Sequence, residues 1–140
     1  MFLRRKTHGK FRRVINYRTL PAILETISDK KILITRKMPG EIPTQNIVHI
    51  WVTRVRHPNA IEPTNLYVIE QKVWNALLDN SGTVILDAFE YLLLENGLER
   101  TLRFVGKLRD MAILSNSDFY VTVSDGIDER ILAMLKRIVE

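Results

Sequence analysis

Short apolar runs separated by helical segments constrain the fold of this chain more than any other feature. Four runs are rich in Ile, Val and Leu, and they are Lys31–Thr35, Ile47–Thr53, Thr83–Asp87 and Phe119–Val123. Strands that are apolar on both faces and alternate with helices are typical of a parallel sheet covered on both sides. The sequence therefore predicts an α/β fold with three layers, a mostly parallel sheet and helices on both faces.

Helical periodicity fills the intervals between these runs. A short helix is predicted over Leu20–Ile27, with Pro21 in its first turn, and a last helix follows Asp125 and Gly126. Two longer amphipathic helices are predicted from apolar residues that recur every three or four positions. Those residues are Leu66, Ile69, Val73 and Leu77 in one helix, and Leu102, Val105, Leu108 and Ala112 in the other.

The positive charge of the chain is concentrated in its first eighteen residues. This segment holds seven of the 21 Lys and Arg residues and no Asp or Glu. Removing those seven charges from the overall +5 leaves a net charge of −2 for the other 122 residues. The sequence therefore predicts a basic N-terminal arm over residues 1–18 and a single domain over residues 19–140.

A segment this basic can neutralise phosphates, while its aromatic side chains stack on bases at the contact. We therefore expect a ribosomal subunit or structured RNA as the partner. DNA is less favoured because no helix-turn-helix or other groove-reading module is present in the sequence. The alternative is an arm that only aids solubility. The predicted RNA or ribosome contacts are Arg4, Arg5, Lys6, Lys10, Phe11, Arg12, Arg13 and Arg18.

Residues 88–94 predict a helix that is apolar nearly all round, interrupted only by Glu90. Burial in the core explains such a helix, and so does a surface for self-association, because a covering helix normally keeps one polar face. We expect a homodimer, which would place two basic arms on one particle. The predicted dimer interface comprises Phe89, Tyr91, Leu92, Leu93 and Leu94.

No catalytic constellation is found in the sequence. The chain has no Cys, which excludes thiolate nucleophiles and Cys-ligated metal sites. The histidines His8, His49 and His57 do not have a metal-binding spacing, and we expect His49 to pack within a strand. The sequence predicts no enzyme, no metal and no cofactor. It also lacks a signal-like apolar run or a spanning stretch, so we expect a cytoplasmic protein without a membrane partner.

The order of the elements resembles a known family between residues 30 and 138. The strongest pieces are Leu-Asp-Ala-Phe-Glu-Tyr-Leu at 86–92 and Asp-Glu-Arg at 128–130. With them the chain resembles an archaeal domain family of unknown function, which is similar to a shortened RecA/KaiC-type ATPase core. The resemblance implies a degenerate RecA-like fold and an archaeal source.

The turn after the first apolar run argues against ATP hydrolysis. A phosphate loop has the form Gly-x4-Gly-Lys-Ser/Thr, whereas residues 36–43 read Arg-Lys-Met-Pro-Gly-Glu-Ile-Pro. Two prolines lack N–H donors, and Glu41 would face the anion. Asp87 has the position of a Walker-B carboxylate, with a helix cap or a strand-end hydrogen bond as the alternative role. Arg36 and Lys37 remain candidates for a phosphate contact.

Two classes of function follow from these observations. The first is a non-enzymatic dimeric factor whose arm engages the ribosome or structured RNA and represses translation, in the manner of ribosome dimerisation or hibernation factors. The second is a protein-interaction or regulatory module, a degenerate ATPase fold that docks onto a RecA-like or signalling partner. Loss of RNA binding on deletion of residues 1–18 favours the first class, and a protein partner independent of the arm favours the second.

Overall fold

A six-stranded sheet organises the chain in a computed structural model that describes residues 12–43, 45–79 and 81–140. The order of strands across the sheet is β1-β6-β5-β2-β3-β4, and every neighbouring pair is parallel. The predicted α/β fold with a parallel sheet is confirmed. The strands are β1 (Val14–Asn16), β2 (Lys31–Thr35), β3 (Ile47–Val52), β4 (Ala60–Ile61), β5 (Thr83–Asp87) and β6 (Asp118–Val123).

Five α-helices connect and cover these strands within the described ranges. Asp128 caps the last of them, because its side chain accepts hydrogen bonds from the backbone N–H groups of Arg130 and Ile131. A 3-10 helix over Tyr17–Thr19 precedes the first. None of the helices in the described ranges combines the length and apolar character needed to cross a membrane. The helices are α1 (Leu20–Thr26), α2 (Leu66–Asp79), α3 (Phe89–Asn96), α4 (Leu98–Leu114) and α5 (Glu129–Val139).

The two faces of the sheet are covered unequally. On one side, which we call the four-helix face, Ile32 and Ile34 of β2 belong to a core that includes buried residues of α2, α3, α4 and α5. On the other side, which we call the α1 face, Leu33 packs in a smaller core with Ile23 of α1 and Ile42 of the connection from β2 to β3. Helices thus lie on both faces, as predicted, but only one α-helix covers the α1 face among the described residues.

The predicted and observed elements differ mainly at the edges of the sheet. The strands β2 and β5 have the predicted bounds, whereas β1 and β4 were not predicted. Because β1 pairs with β6, the folded body already includes Val14–Asn16, which the sequence assigned to the arm. The division at residue 18 stays a prediction, since residues 1–11 lie outside the described ranges. The strand β6 begins at Asp118, which is fully buried, one residue before the predicted run Phe119–Val123.

Candidate functional site

The carboxyl ends of β2 and β5 lie where the chain changes direction across the sheet. From β2 the chain crosses the α1 face through residues 36–46 and enters β3 on one side. From β5 it crosses the four-helix face through α3 and α4 and enters β6 on the other side. In open parallel sheets ligands bind at such a switch point, outside the carboxyl ends of the strands. Thr35 and Asp87 are register partners at this point.

A cleft of about 1250 Å³ opens above these strand ends on the α1 face. The 3-10 helix and α1 line one wall, and residues 36–37, 41–43 and 45–47 line the other. The floor contains Thr35, Asp87 and Thr122 at the ends of β2, β5 and β6. A polar floor between partly apolar walls is the usual design of a small-molecule site, and here the walls also carry Glu25 and Glu41. The apolar wall residues include Leu20, Pro21, Leu24, Ile42, Pro43 and Ile47.

Two threonine hydroxyls fix the Asp87 carboxylate on this floor. Thr35 Oγ1 donates to Oδ2 of Asp87 at 2.7 Å, and Thr122 Oγ1 donates to Oδ1 at 2.6 Å. Burial raises the pKa of Asp87 above its usual value, while the two hydroxyls and the nearby charge of Lys37 act in the opposite direction. Asp87 forms no ion pair with any residue in the described ranges. Its negative charge is therefore partly desolvated and only partly compensated.

Two cationic residues are held at the lip of the cleft by hydrogen bonds from β3. Trp51 Nε1 donates to the carbonyl oxygen of Arg36 at 3.2 Å, and His49 Nε2 lies 2.8 Å from the carbonyl oxygen of Lys37. The Arg36 guanidinium lies 3.9 Å from the ring centroid of Tyr91, which makes a cation–π contact. These contacts fix the start of the connection from β2 to β3, so Arg36 and Lys37 have defined positions.

The start of α3 completes the floor on the β6 side. Glu90 accepts hydrogen bonds from the backbone N–H of Ser124 at 2.8 Å and from its hydroxyl at 2.5 Å. Ala88 occupies the N-cap position and provides no side-chain cap. Ala88, Glu90 and Ser124 all line the cleft, and the bond between Glu90 and Ser124 joins the strand ends of β5 and β6.

The opposite end of β6 carries an ion pair that belongs to the fold. Arg13 Nη2 lies 3.1 Å from Oδ1 of Asp118, which is fully buried, and the Arg13 guanidinium lies 5.0 Å from the ring centroid of Tyr120. Arg18 Nη2 lies 2.6 Å from Oδ2 of Asp125, and this pair is exposed. Two of the predicted RNA contacts therefore already have acidic partners within the chain.

A comparison with models of known families identifies the family of this chain. The family model described as "Protein of unknown function (DUF835)" matches residues 15–139, which include every strand and helix except the first residue of β1. The chain belongs to the DUF835 family. This confirms the predicted membership of a domain family of unknown function. Comparisons with curated proteins and with solved structures gave no significant match.

The residues predicted for the N-terminal interface fall into two groups in this DUF835 domain. Arg12 is exposed, whereas Arg13 and Arg18 form the ion pairs described above. The remaining predicted contacts lie outside the described ranges, and these are Arg4, Arg5, Lys6, Lys10 and Phe11.

The predicted dimer residues are mostly internal. Phe89 and Leu92 are buried in the core of the four-helix face, so they form no surface of this chain. Tyr91 and Leu93 are half-buried against the same core, and only Leu94 is well exposed, at 81%. The core interpretation of residues 88–94 therefore accounts for two of the five residues, and Leu94 remains the candidate for self-association.

Sequence reasoning identified Asp87, Arg36 and Lys37 as candidates but missed how the fold surrounds them. Thr35 and Thr122 were treated only as strand residues, because nothing local marks their hydroxyls as partners of Asp87. The useful signal is that both are polar residues near the end of an apolar run that is predicted to be parallel to Thr83–Asp87. No group of three His, Asp or Glu residues suited to a metal ion occurs within the described ranges.

Proposed function

We propose that this chain is a non-enzymatic, dimeric binding factor that engages structured RNA, and specifically a ribosomal subunit, through its basic N-terminal segment. The segregation of charge carries the proposal: residues 1–18 hold seven Lys and Arg and no acid, while the rest of the chain has a net charge of −2. A cationic segment on an otherwise weakly acidic protein favours phosphate backbones through counterion release. Translational repression by subunit dimerisation or anti-association is the corresponding role.

The ion pairs of Arg13 and Arg18 limit which cations of the N-terminal segment are available to RNA. Arg13 is engaged with the buried Asp118, and Arg18 is engaged with Asp125, so both cations serve first to attach the segment to the sheet. Arg12 is exposed beside them and is free of acidic partners among the described residues. The phosphate contacts are therefore assigned to the remaining cations, which are Arg4, Arg5, Lys6, Lys10 and Arg12.

The test is cosedimentation of the protein with purified archaeal ribosomal subunits in a sucrose gradient. A variant in which those five cations become Gln is compared with a control that loses five exposed cations from the helices. We expect the wild-type protein and the control to migrate with a subunit at low salt and to dissociate as salt rises. The control substitutions are Arg100→Gln, Arg103→Gln, Lys107→Gln, Lys136→Gln and Arg137→Gln.

The outcomes distinguish binding through the N-terminal segment from a general effect of net charge. Loss of comigration only in the N-terminal variant supports the proposal. Equal loss of comigration in both variants shows that only net charge matters. Comigration of the N-terminal variant shows that another surface binds the subunit. Either result contradicts the proposal. A wild-type protein that stays at the top of the gradient at every salt concentration also contradicts it.

Dimerisation has its own structural candidate in Leu94 at the end of α3. Leu94 is 81% exposed, and Leu98 at the start of α4 is also exposed. We expect Leu94→Asp to convert a dimer to a monomer in light scattering coupled to size exclusion. The matched control is Leu78→Asp on α2, because Leu78 is 64% exposed but lies on another helix. A wild-type monomer at all concentrations, or equal effects of both variants, contradicts a dimer through α3.

The same exposed leucines also favour the second function, a protein-interaction module that docks onto a RecA-like or signalling partner. An apolar surface at the junction of α3 and α4 is suited to a protein partner rather than to RNA. In this case a partner captured from the source organism binds the five-cation variant as well as the wild type and does not bind Leu94→Asp. Capture that depends on the N-terminal cations contradicts this second function.

A further inference from the structure

The carboxylate on the cleft floor has hydrogen-bonding capacity that the fold does not use. A carboxylate offers about four acceptor positions. Within the described part of the chain, Asp87 accepts from the hydroxyls of Thr35 and Thr122 and from no other group. Two positions thus remain for donors that enter the cleft. A desolvated carboxylate gains most from a ligand that brings hydroxyl or amino donors, because these replace the lost water.

A vicinal diol has two hydroxyl donors at a spacing that suits this carboxylate. The two threonine hydroxyls occupy one acceptor position on each oxygen of Asp87, so one position on each oxygen remains. The adjacent 2′ and 3′ hydroxyls of ribose supply two donors at matching separation. A carboxylate at a strand end that binds ribose hydroxyls is a general solution in open parallel sheets.

The lip of the cleft supplies positive charge for the other end of such a ligand. Arg36 and Lys37 are adjacent, and their backbone carbonyls are fixed by Trp51 and His49. Neither side chain forms an ion pair with another residue of the described ranges. A guanidinium and an ammonium that line the same cleft are suited to a phosphate, for which Arg provides a bidentate contact and Lys a point charge.

The walls leave room for a flat, weakly polar group. Leu24 and Ile47 are half-buried on opposite walls, and Pro21 and Pro43 are exposed beside them. A cleft of about 1250 Å³ is larger than the usual 300–1000 Å³ of small-molecule sites, so a nucleobase attached to the ribose can enter it. The walls therefore complete a site for a molecule with an apolar ring, a diol and an anionic group.

We infer that this cleft binds a nucleoside 5′-monophosphate, with the ribose hydroxyls donating to Asp87, the phosphate held by Arg36 and Lys37, and the base between α1 and the opposite wall at Ile42, Pro43 and Ile47. No bond is made or broken in this binding. A free nucleotide presents this chemistry, and so does the 3′ end of an RNA strand. The inference is independent of the N-terminal segment, since a mononucleotide is too small to need it.

Isothermal titration calorimetry with the four nucleoside 5′-monophosphates, adenosine and 2′,3′-dideoxyadenosine monophosphate tests the inference on the full chain. We expect saturable binding of at least one monophosphate, and about tenfold weaker binding of the dideoxy compound than of AMP if AMP is that ligand. Absence of saturable binding by all four monophosphates at millimolar concentration overturns the inference. Equal binding of ribose and dideoxy forms overturns the role of Asp87.

Variants assign the two ends of the ligand. Asp87→Asn is expected to weaken the bound monophosphate about tenfold and to leave the dideoxy compound unchanged. Tighter binding by Asp87→Asn contradicts the inference, because it means that the carboxylate only repels the phosphate. The double variant Arg36→Gln with Lys37→Gln is expected to weaken the monophosphate but not the nucleoside. Its matched control is Lys136→Gln with Arg137→Gln, two adjacent exposed cations on α5, which should bind as wild type does.

Competition distinguishes the two sources of the ligand. A trinucleotide with a free 3′ diol is expected to displace the bound monophosphate if an RNA end is accepted, whereas the same trinucleotide with a 3′ phosphate is not. Lack of displacement by either identifies the free nucleotide. Equal displacement by both shows that the diol is not recognised and contradicts the inference. These results do not depend on ribosome cosedimentation, so the two proposals fail separately.

Discussion

Two aspartates on the same face of the sheet, the buried Asp118 and the half-buried Asp87, have opposite surroundings. Asp118, at the amino end of β6, is fully buried and paired with Arg13 at 3.1 Å, and the Arg13 guanidinium also packs over Tyr120. Asp87, at the carboxyl end of β5, has two hydroxyl donors and no ion pair within the described ranges, and it faces an open cleft. The charge of Asp118 is compensated by an ion pair inside the fold, whereas that of Asp87 is compensated only by two hydroxyls and the nearby charge of Lys37.

This difference distinguishes a charge that stabilises the fold from one that is a candidate for function. A buried ion pair fixes the geometry of its neighbourhood, and loss of either partner strands the other. A carboxylate that lies in a cleft, forms no ion pair and has a pKa raised by burial is a candidate for a functional group. The ion pair at the amino edge of the sheet therefore serves the fold, and the carboxyl edge is the candidate for binding.

The largest expected effect is at the amino edge. Arg13→Ala leaves the buried Asp118 without this cation, so we expect the free energy of unfolding to fall by about 4 kcal/mol in urea titrations. Arg18→Ala breaks an exposed pair and is expected to have a much smaller effect. Similar losses for the two variants would mean that burial does not distinguish these pairs.

The space around the glycines also differs between the amino and carboxyl edges of the sheet. A Cβ at Gly82, at the amino end of β5, would lie 2.5 Å from the carbonyl oxygen of Lys30, whereas a Cβ at Gly126, after β6, meets no atom within 4 Å. We expect Gly82→Ala to destabilise the protein by about 3 kcal/mol in thermal or urea unfolding. Gly126→Ala is expected to stay within about 0.5 kcal/mol of the wild type. Equal tolerance at both positions would refute the contrast in packing.

Two equally buried threonines at opposite ends of the sheet, Thr35 and Thr83, differ in the hydrogen bonds of their hydroxyls. Thr35→Val removes a donor to the Asp87 carboxylate, and we expect a loss of about 2 kcal/mol at neutral pH. Thr83 is equally buried, but its hydroxyl has no hydrogen-bond partner in the described part of the chain. Thr83→Val is therefore expected to be neutral within about 0.5 kcal/mol, or stabilising. The reverse order in chemical denaturation would show that Asp87 does not depend on its hydroxyl donors.

The smallest effect is a dependence on pH at the cleft floor. Because burial raises the pKa of Asp87 above 3.8, the folded state holds this proton more tightly than the unfolded state does. The stability of the wild type relative to Asp87→Asn should therefore fall as the pH rises from 3.8 to the raised pKa, and should be constant above it. Unfolding curves of both proteins from acid to neutral pH check the sign. A difference that grows in favour of the wild type over this interval would show that the carboxylate is compensated.

The sequence predicted the centre of the fold better than its edges. The strands β2 and β5 are long enough and apolar enough for their bounds to be predicted, and both are covered on each side. The strands β1 and β4 have only three and two residues, too few for any periodicity. Three basic residues before Val14 also made that region resemble an exposed segment rather than a strand.

The site was predictable only in its individual residues. The end of an apolar run marked Asp87, and the missing phosphate loop drew attention to Arg36 and Lys37. The cleft itself depends on which connection crosses which face, and a sequence pattern does not contain that information. Asp118 shows the same limit, because it lies just outside the predicted run Phe119–Val123 and its role depends on Arg13, 105 residues earlier.

Chemical-shift mapping by NMR, with each of the four nucleoside 5′-monophosphates added separately to the full chain, is the most direct test of the assignment of binding to the carboxyl edge. With at least one of them we expect saturable shifts of the backbone amides of Thr35, Lys37, Asp87 and Thr122, and none at Gly82 or Asp118. Shifts that centre on the amino edge, or no shifts with any of the four at millimolar concentration, would contradict this assignment.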